Sequence, residues 1–196
     1  MQLSDALPAD LSVGSTSIGV VVGPSPAGPW QDPLGKPLLA NGSDYNPATQ
    51  IRDPGVLQDG ADYYIVFGTF EYYIAKLADD MISLAEQPRH VEVTGDIFGQ
   101  NGPNRTDDKP FLHAHTQRGV KTYYLSWGAF FGMSESVYGP FRFVGTFISP
   151  ALIAPDFRMP IDPEQSYPYK QLDYKDRHGS FMSMHGQWYF VCNHVR

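Results

Sequence analysis

The stretch IRDPGVLQDGADYYIVFG, residues 51–68, decides the fold. Asp53 stands ahead of a short apolar segment, and Asp59-Gly60 is a dipeptide typical of tight hairpin turns. The residues after the turn are rich in aromatic and β-branched side chains, which favour a strand. The stretch therefore predicts a β-hairpin with an acidic residue at the head of its first strand.

The same pattern recurs twice further along the chain. The second copy has Asp108 ahead of its first strand and a turn at Arg118-Gly119. The third copy has His178 ahead of its first strand and a turn at His185-Gly186. A titratable residue therefore occupies the same place in all three predicted hairpins.

The spacing of the copies indicates a repeat protein. Tyr64 and Tyr124 are 60 residues apart, and Tyr124 and Tyr189 are 65 residues apart. A repeat of this order is of the kind found in propellers, where each blade is a four-stranded sheet. If each hairpin begins on the innermost strand of a blade, the three titratable residues converge on one axis and form a candidate site.

The whole chain predicts an all-β protein, because no apolar pattern with a period of 3.6 residues is sustained anywhere. The repeat favours a propeller over a sandwich. We predict that residues 1–14 form a disordered leader and that residues 15–196 form a partial propeller. Within the propeller, residues 18–40 are the outer part of one blade, with a strand at Ile18–Gly23, and residues 50–100 and 106–148 are one blade each. Residues 149–175 are a loop on the rim, and residues 176–196 are the start of the last blade.

Composition narrows the classes of partner. Lys and Arg number 14 and Asp and Glu number 21, so the net charge is -7. This charge argues against nucleic acid and against an anionic membrane surface as partners. No run of 18 or more apolar residues is present, so no membrane-spanning helix is predicted. The single cysteine, Cys192, is interpreted as a structural thiol.

Several stretches together resemble glycoside hydrolase family 43. They are residues 18–38 (IGVVVGPSPAGPWQDPLGKPL), Arg52-Asp53-Pro54, 73–84 (YIAKLADDMISL), 121–127 (KTYYLSW), 137–141 (VYGPF), His178-Gly179-Ser180 and Gln187-Trp188-Tyr189. The resemblance covers residues 15–196. It implies a five-bladed β-propeller that hydrolyses glycosidic bonds with inversion, as α-L-arabinofuranosidases, β-xylosidases and arabinanases of this family do.

The resemblance also implies roles for individual residues. Asp53 matches the aspartate that orients the sugar and helps to keep the general acid protonated. Asp108 stands where the family has its general acid, which is usually a glutamate followed by a small residue and proline; here the triplet is Asp108-Lys109-Pro110. His178 matches a histidine on the propeller axis, which in some members lies beside a bound cation. An axial calcium ion is therefore an alternative to a simple hydrogen-bonding role for His178, although the reaction requires no cofactor.

The general-base aspartate of the family has no counterpart here, because nothing before Ile18 resembles the first blade. We therefore expect the chain to form an incomplete propeller of about three blades and to be a fragment of a longer gene product. We also expect the chain alone to have no hydrolytic activity. A shorter natural domain that closes in another way is the alternative.

Other side chains are candidates for sugar contact. Trp127 and Phe130 are interpreted either as rings that stack on a sugar or as blade packing. His113 follows Asp108 on an alternating face and is a candidate sugar contact, and Arg177 is a candidate partner for a site carboxylate. Asp107 is interpreted as a capping or solvated neighbour of Asp108.

Two classes of function remain open. The first is a family 43 glycosidase acting on arabinose- or xylose-containing oligosaccharides or polysaccharides. The second is a non-catalytic propeller that binds carbohydrate, which Lys109 and the missing base favour. A third reading is an interaction scaffold, since an open propeller exposes strand edges through which copies self-associate.

Overall fold

The computed structural model describes residues 17–40, 51–99, 102–147 and 179–192. All regular structure in these ranges is β-strand, and no helix there is long and apolar enough to cross a membrane. The strands are β1 (Ser17–Ile18), β2 (Leu39–Ala40), β3 (Gly55–Asp59), β4 (Asp62–Thr69), β5 (Glu71–Lys76), β6 (Arg89–Val91), β7 (Val93–Thr94), β8 (Phe98–Gly99), β9 (Gly102–Pro103), β10 (Pro110–Gln117), β11 (Val120–Trp127), β12 (Phe130–Ser134), β13 (Phe141–Thr146), β14 (Gly179–Met184) and β15 (Gln187–Cys192).

The first sheet has the order β3-β4-β5-β6, and all its strands are antiparallel. Its first hairpin turns one residue later than predicted: Asp59 ends β3 and pairs with Asp62, and the turn residues are Gly60, at φ 65°, and Ala61. Strand β4 is buried on both faces, because Tyr64 and Val66 face one side and Ile65 and Phe67 face the other. The aromatic and β-branched stretch after the turn is therefore the centre of the sheet.

The second sheet has the order β10-β11-β12-β13-β7. Its first hairpin turns at Arg118 and Gly119, which both have positive φ angles of 52° and 81°. Strand β7 pairs with β13 in parallel, with Val93 opposite Phe141. The prediction placed Val93 and Thr94 in the blade of residues 50–100, and the pairing corrects this, because β6 ends at Val91 and the next strand joins the neighbouring sheet.

The main core lies between the two sheets. Its buried members come from both of them: Leu57, Tyr64, Val66, Tyr72, Ile74, Val91, Leu112, Leu125, Trp127, Ala129, Phe130, Val137 and Phe141. A second cluster covers the opposite face of the first sheet, where Ile18 and Leu39 of β1 and β2 pack against Ile65 and Phe67. The sheets are therefore stacked face to face, as blades are in a propeller.

The N-terminal segment has less strand than predicted. Of the expected strand Ile18–Gly23 only Ile18 pairs with β2, together with Ser17 before it, and Val22 forms an isolated bridge to Gln31. The repeated Gly-Pro-aromatic pattern is confirmed in geometry, since Gly28 and Gly139 have φ angles of 81° and 84° and both precede cis prolines. The same backbone shape therefore occurs beside both sheets.

The third hairpin pairs β14 with β15 and turns at His185 and Gly186, as predicted. Phe181 and Phe190 pack edge to face on Phe147, which follows β13. The predicted leader 1–14 and rim loop 149–175 lie outside the described residues.

Candidate functional site

The heads of strands β3 and β10 meet, and each carries one of the predicted carboxylates. Asp53 has a φ angle of 53°, and its Oδ2 accepts a hydrogen bond of 3.3 Å from the N–H of Lys109. A Cβ atom on Gly55 would lie only 3.1 Å from the carbonyl oxygen of Pro110, so the two backbones are closely packed here. The structure therefore places Asp53 beside the Asp108-Lys109-Pro110 segment, although Asp53 and Asp108 are 55 positions apart in sequence.

Asp108 is held by its neighbours in the same loop. Its Oδ2 lies 3.5 Å from Nζ of Lys109, and the two side chains are 29% and 16% exposed. Lys109 has a φ angle of 60°, a conformation that residues with a Cβ atom seldom adopt.

Asp107 corrects one expectation of the sequence analysis. It is 2% exposed and so is not solvated, whereas the capping role fits, because its Oδ1 accepts a 3.0 Å hydrogen bond from the N–H of Asp108. The hydroxyl of Tyr72 donates to the Asp107 carbonyl at 2.7 Å and accepts from the Asp107 N–H at 3.1 Å. Complete burial raises the pKa of Tyr72 well above its usual value, so this hydroxyl stays neutral.

Phe70 was not singled out from the sequence, yet it borders the same loop. Its N–H donates a 3.0 Å hydrogen bond to the carbonyl of Asp107, and its carbonyl accepts a bond from the hydroxyl of Thr106. The residue has a φ angle of 64° and is 40% exposed. The guanidinium of Arg105 lies 4.3 Å from the centroid of the ring. The only signal in the sequence is an aromatic residue directly after Gly68-Thr69 at the end of a strand.

Trp127 and Phe130 are core residues. Both are completely buried in the core between the two sheets. Trp127 packs against Tyr72 and Phe143, and Phe130 also contacts Phe143. The expectation that these rings stack on a sugar is therefore wrong for the described structure, and blade packing accounts for both.

His113 lies away from the two carboxylates. It is five residues beyond Asp108, which corresponds to about 16 Å along an extended strand. Its ring stacks on Tyr124 at 4.9 Å and on Phe181 at 4.6 Å between centroids. These rings belong to a cleft of about 330 Å³ that is lined by His113, His115, Tyr124, Phe131, Phe147, Phe181 and Trp188. His113 is thus separated from Asp108, and the sugar contact expected for it stays a prediction.

Burial lowers the pKa of His113 to about 4, and the nearby charge of His115 acts in the same direction. The Nδ1 atom of His113 is buried and has no hydrogen-bond partner among the described residues. The imidazole is therefore neutral at physiological pH.

His178 and Arg177 lie outside the described residues, so their predicted roles stay predictions. Within the ranges that the structure describes, no three side chains of His, Cys, Asp or Glu come together as a metal site. The axial calcium ion was placed beside His178 and likewise stays a prediction.

No family model matches the chain. The arabinoxylan arabinofuranohydrolase of Bacillus subtilis strain 168 is 28% identical over 152 residues, which are 67% of this chain and 29% of that protein. The solved structure of a glycoside hydrolase family 43 arabinoxylan arabinofuranohydrolase from Bacillus subtilis in complex with cellotetraose aligns with a TM-score of 0.57 at 22% identity, over 91% of this chain and 37% of that one. This chain is a relative of the family 43 glycoside hydrolases.

A second solved structure of a family 43 protein also has a similar fold. An α-L-arabinofuranosidase from Clostridium thermocellum aligns with a TM-score of 0.59 at 24% identity, over 91% of this chain and 54% of that one. The chain spans less than a third of the length of the curated relatives that it matches. The family 43 relationship predicted from the sequence is confirmed, and the all-β class is confirmed for the described residues.

Proposed function

We propose that the chain is part of an inverting glycoside hydrolase of the five-bladed family 43 type, acting on arabinose- or xylose-containing oligosaccharides or polysaccharides. The observation that carries the proposal is the hydrogen bond from the Lys109 N–H to the Asp53 carboxylate. It joins the segments that lead into β3 and β10, each of which carries a carboxylate. The relatives named arabinoxylan arabinofuranohydrolase and α-L-arabinofuranosidase support this substrate class.

The chemistry of inversion assigns the roles. Asp108 protonates the oxygen of the leaving group while a carboxylate base, roughly 6.5–9.5 Å away, removes a proton from the attacking water. The water oxygen forms the new bond to the anomeric carbon as the glycosidic bond breaks. Asp53 accepts hydrogen bonds and orients the sugar. The base has no counterpart in this sequence, so we expect the 196-residue chain alone to be inactive.

The backbone supports a site that is set before the ligand arrives. Asp53 and Lys109 both have positive φ angles, and such residues cluster at active sites and ligand clamps. Their conformations are fixed by the hydrogen bond between them and by the close approach of Gly55 to Pro110. The orientation of the Asp53 carboxylate therefore depends on two strands.

One observation favours the second candidate function, a non-catalytic carbohydrate-binding propeller. The ammonium group of Lys109 lies 3.5 Å from Asp108. An ammonium group at this place adds a hydrogen-bond donor for sugar hydroxyls beside the carboxylate, which serves binding even where no bond is broken.

Hydrolysis of nitrophenyl α-L-arabinofuranoside and nitrophenyl β-D-xyloside tests the proposal. The assay compares the 196-residue chain with a version extended upstream to supply the first blade, each with Asp53→Asn. Asp62→Asn is the matched control, because Asp62 lies at the far end of the same hairpin, where it pairs with Lys76.

Activity of the extended version that is lost in Asp53→Asn and kept in Asp62→Asn is the expected result. Hydrolysis that survives Asp53→Asn at full rate would overturn the proposed roles. Absence of hydrolysis together with sugar binding that depends on Asp53 would establish the binding function instead.

A further inference from the structure

Phe70, at the margin of the candidate site, combines an exposed ring with a backbone conformation that is rare for a bulky residue. The residue connects β4 to β5 and is 40% exposed, although the strands on either side of it are largely buried. A bulky residue without a glycine's freedom rarely has a φ angle of 64°. The chain therefore keeps a large apolar side chain at a position where glycine would be favoured and where packing does not require it.

Hydrogen bonds from the Asp108 loop hold this conformation. The N–H of Phe70 donates to the carbonyl of Asp107, and its carbonyl accepts from Thr106. Because Asp107 also caps the N–H of Asp108, this one residue contacts the backbone of both Phe70 and the candidate acid. Strained residues held by their surroundings in this way are characteristic of ligand clamps.

Arg105 completes the surface. Its guanidinium lies 4.3 Å from the ring centroid, and no carboxylate among the described residues forms an ion pair with it. The pair thus combines an exposed apolar ring with a planar group that carries five N–H donors. Sugars have the matching chemistry, since apolar C–H faces pack on aromatic rings and their hydroxyls accept hydrogen bonds.

We propose that Phe70 and Arg105 form a sugar-binding platform that receives a pyranose or furanose unit of the polysaccharide next to the unit held by Asp53 and Asp108. The platform rests on the proposed function, because it names a second contact for the same carbohydrate. Phe70 contributes stacking, and Arg105 contributes hydrogen bonds.

Calorimetric titration of the chain with xylotriose and with arabinotriose tests the platform, with Phe70→Gly and Phe70→Tyr as the variants. Glycine removes the ring but suits the φ angle, so Phe70→Gly is expected to keep or raise the melting temperature. Binding of the preferred trisaccharide is expected to weaken roughly tenfold in Phe70→Gly, because a ligand that covers a ring gains free energy of that order. Phe70→Tyr retains the ring and is expected to bind as the parent does.

Trp30→Ala is the matched control, because it removes an exposed aromatic ring from the N-terminal segment. Equal weakening by Trp30→Ala, unchanged binding in Phe70→Gly, or a parent chain that binds neither sugar would overturn the platform. Unchanged binding in Phe70→Gly together with hydrolysis that Asp53→Asn abolishes contradicts the platform alone. Binding lost in Phe70→Gly with hydrolysis that survives Asp53→Asn contradicts the proposed function alone.

Discussion

Lowering the pH from 7 to 4 is expected to destabilise the fold through His113. This ring is sandwiched between Tyr124 and Phe181, and its Nδ1 is buried without a partner among the described residues. Burial lowers its pKa from 6.5 to about 4. Between those two pH values the unfolded chain binds a proton that the folded chain does not, so stability falls as the pH falls through this window.

The size of the effect follows from the same two values. A change from 6.5 to about 4, at about 1.4 kcal/mol per pH unit, corresponds to about 3 kcal/mol of unfolding free energy. Most domains have only about 5–15 kcal/mol in total, so the loss is large. Replacing the imidazole by a phenyl ring removes the titration and keeps a flat ring in the stack.

Urea denaturation of the parent chain and of His113→Phe at half-unit steps from pH 7 to pH 4 measures the difference. Carboxylates titrate in both proteins, so the gap between the two curves isolates His113. The gap is expected to widen by about 3 kcal/mol in favour of His113→Phe as the pH falls. The control His115→Gln removes only the neighbouring charge and is expected to keep most of the pH dependence. Parallel curves for the parent and His113→Phe would refute the argument.

Two further predictions concern the backbone around the site. Tyr72→Phe removes the hydroxyl that accepts a hydrogen bond from the buried Asp107 N–H, and we expect the free energy of unfolding, measured by urea denaturation, to fall by about 2 kcal/mol. Tyr73→Phe, on the other face of β5, is the control, and an equal loss there would contradict this account. Gly68→Ala places a Cβ atom 2.1 Å from the carbonyl oxygen of Glu71 at a φ angle of 125°, so we expect more than about 3 kcal/mol of destabilisation. Gly60→Ala, at φ 65° with nothing within 4 Å, is expected to cost about 1 kcal/mol, and a similar cost at both positions would count against the clash.

The features that the sequence predicted well are local ones. The second and third hairpins turn at the predicted dipeptides, and the first turns one residue later, at Gly60 and Ala61. Gly60, Gly119 and Gly186 supply the positive φ angles that such turns require. The alternation of apolar residues also placed Asp53 and Asp108 at the heads of their strands. The repeat also predicts that the segments carrying Asp53 and Asp108 lie side by side, and the hydrogen bond from the Lys109 N–H to Asp53 joins these two segments.

The features that were missed depend on contacts between distant residues. The burial of Asp107 follows from Tyr72, which lies 35 residues earlier and belongs to the other sheet. Trp127 and Phe130 were ambiguous because an aromatic residue packs equally well in a core and against a sugar, and only the stacking of the two sheets decides between them. Phe70 could not be singled out, since nothing in the sequence reports a φ angle.

The parallel pairing of β7 with β13 has a consequence for synthesis of the chain on the ribosome. Phe141 emerges 48 residues after Val93, its partner. Until then β7 lacks its partner strand, and the face of the first sheet that carries Leu57, Tyr64 and Val66 is covered only in stages, as the core residues of the second sheet from Leu112 to Phe141 are made. A nascent chain that pauses in this interval exposes an apolar surface of the kind that chaperones bind. We therefore expect slower translation between residues 94 and 146 to prolong this exposure.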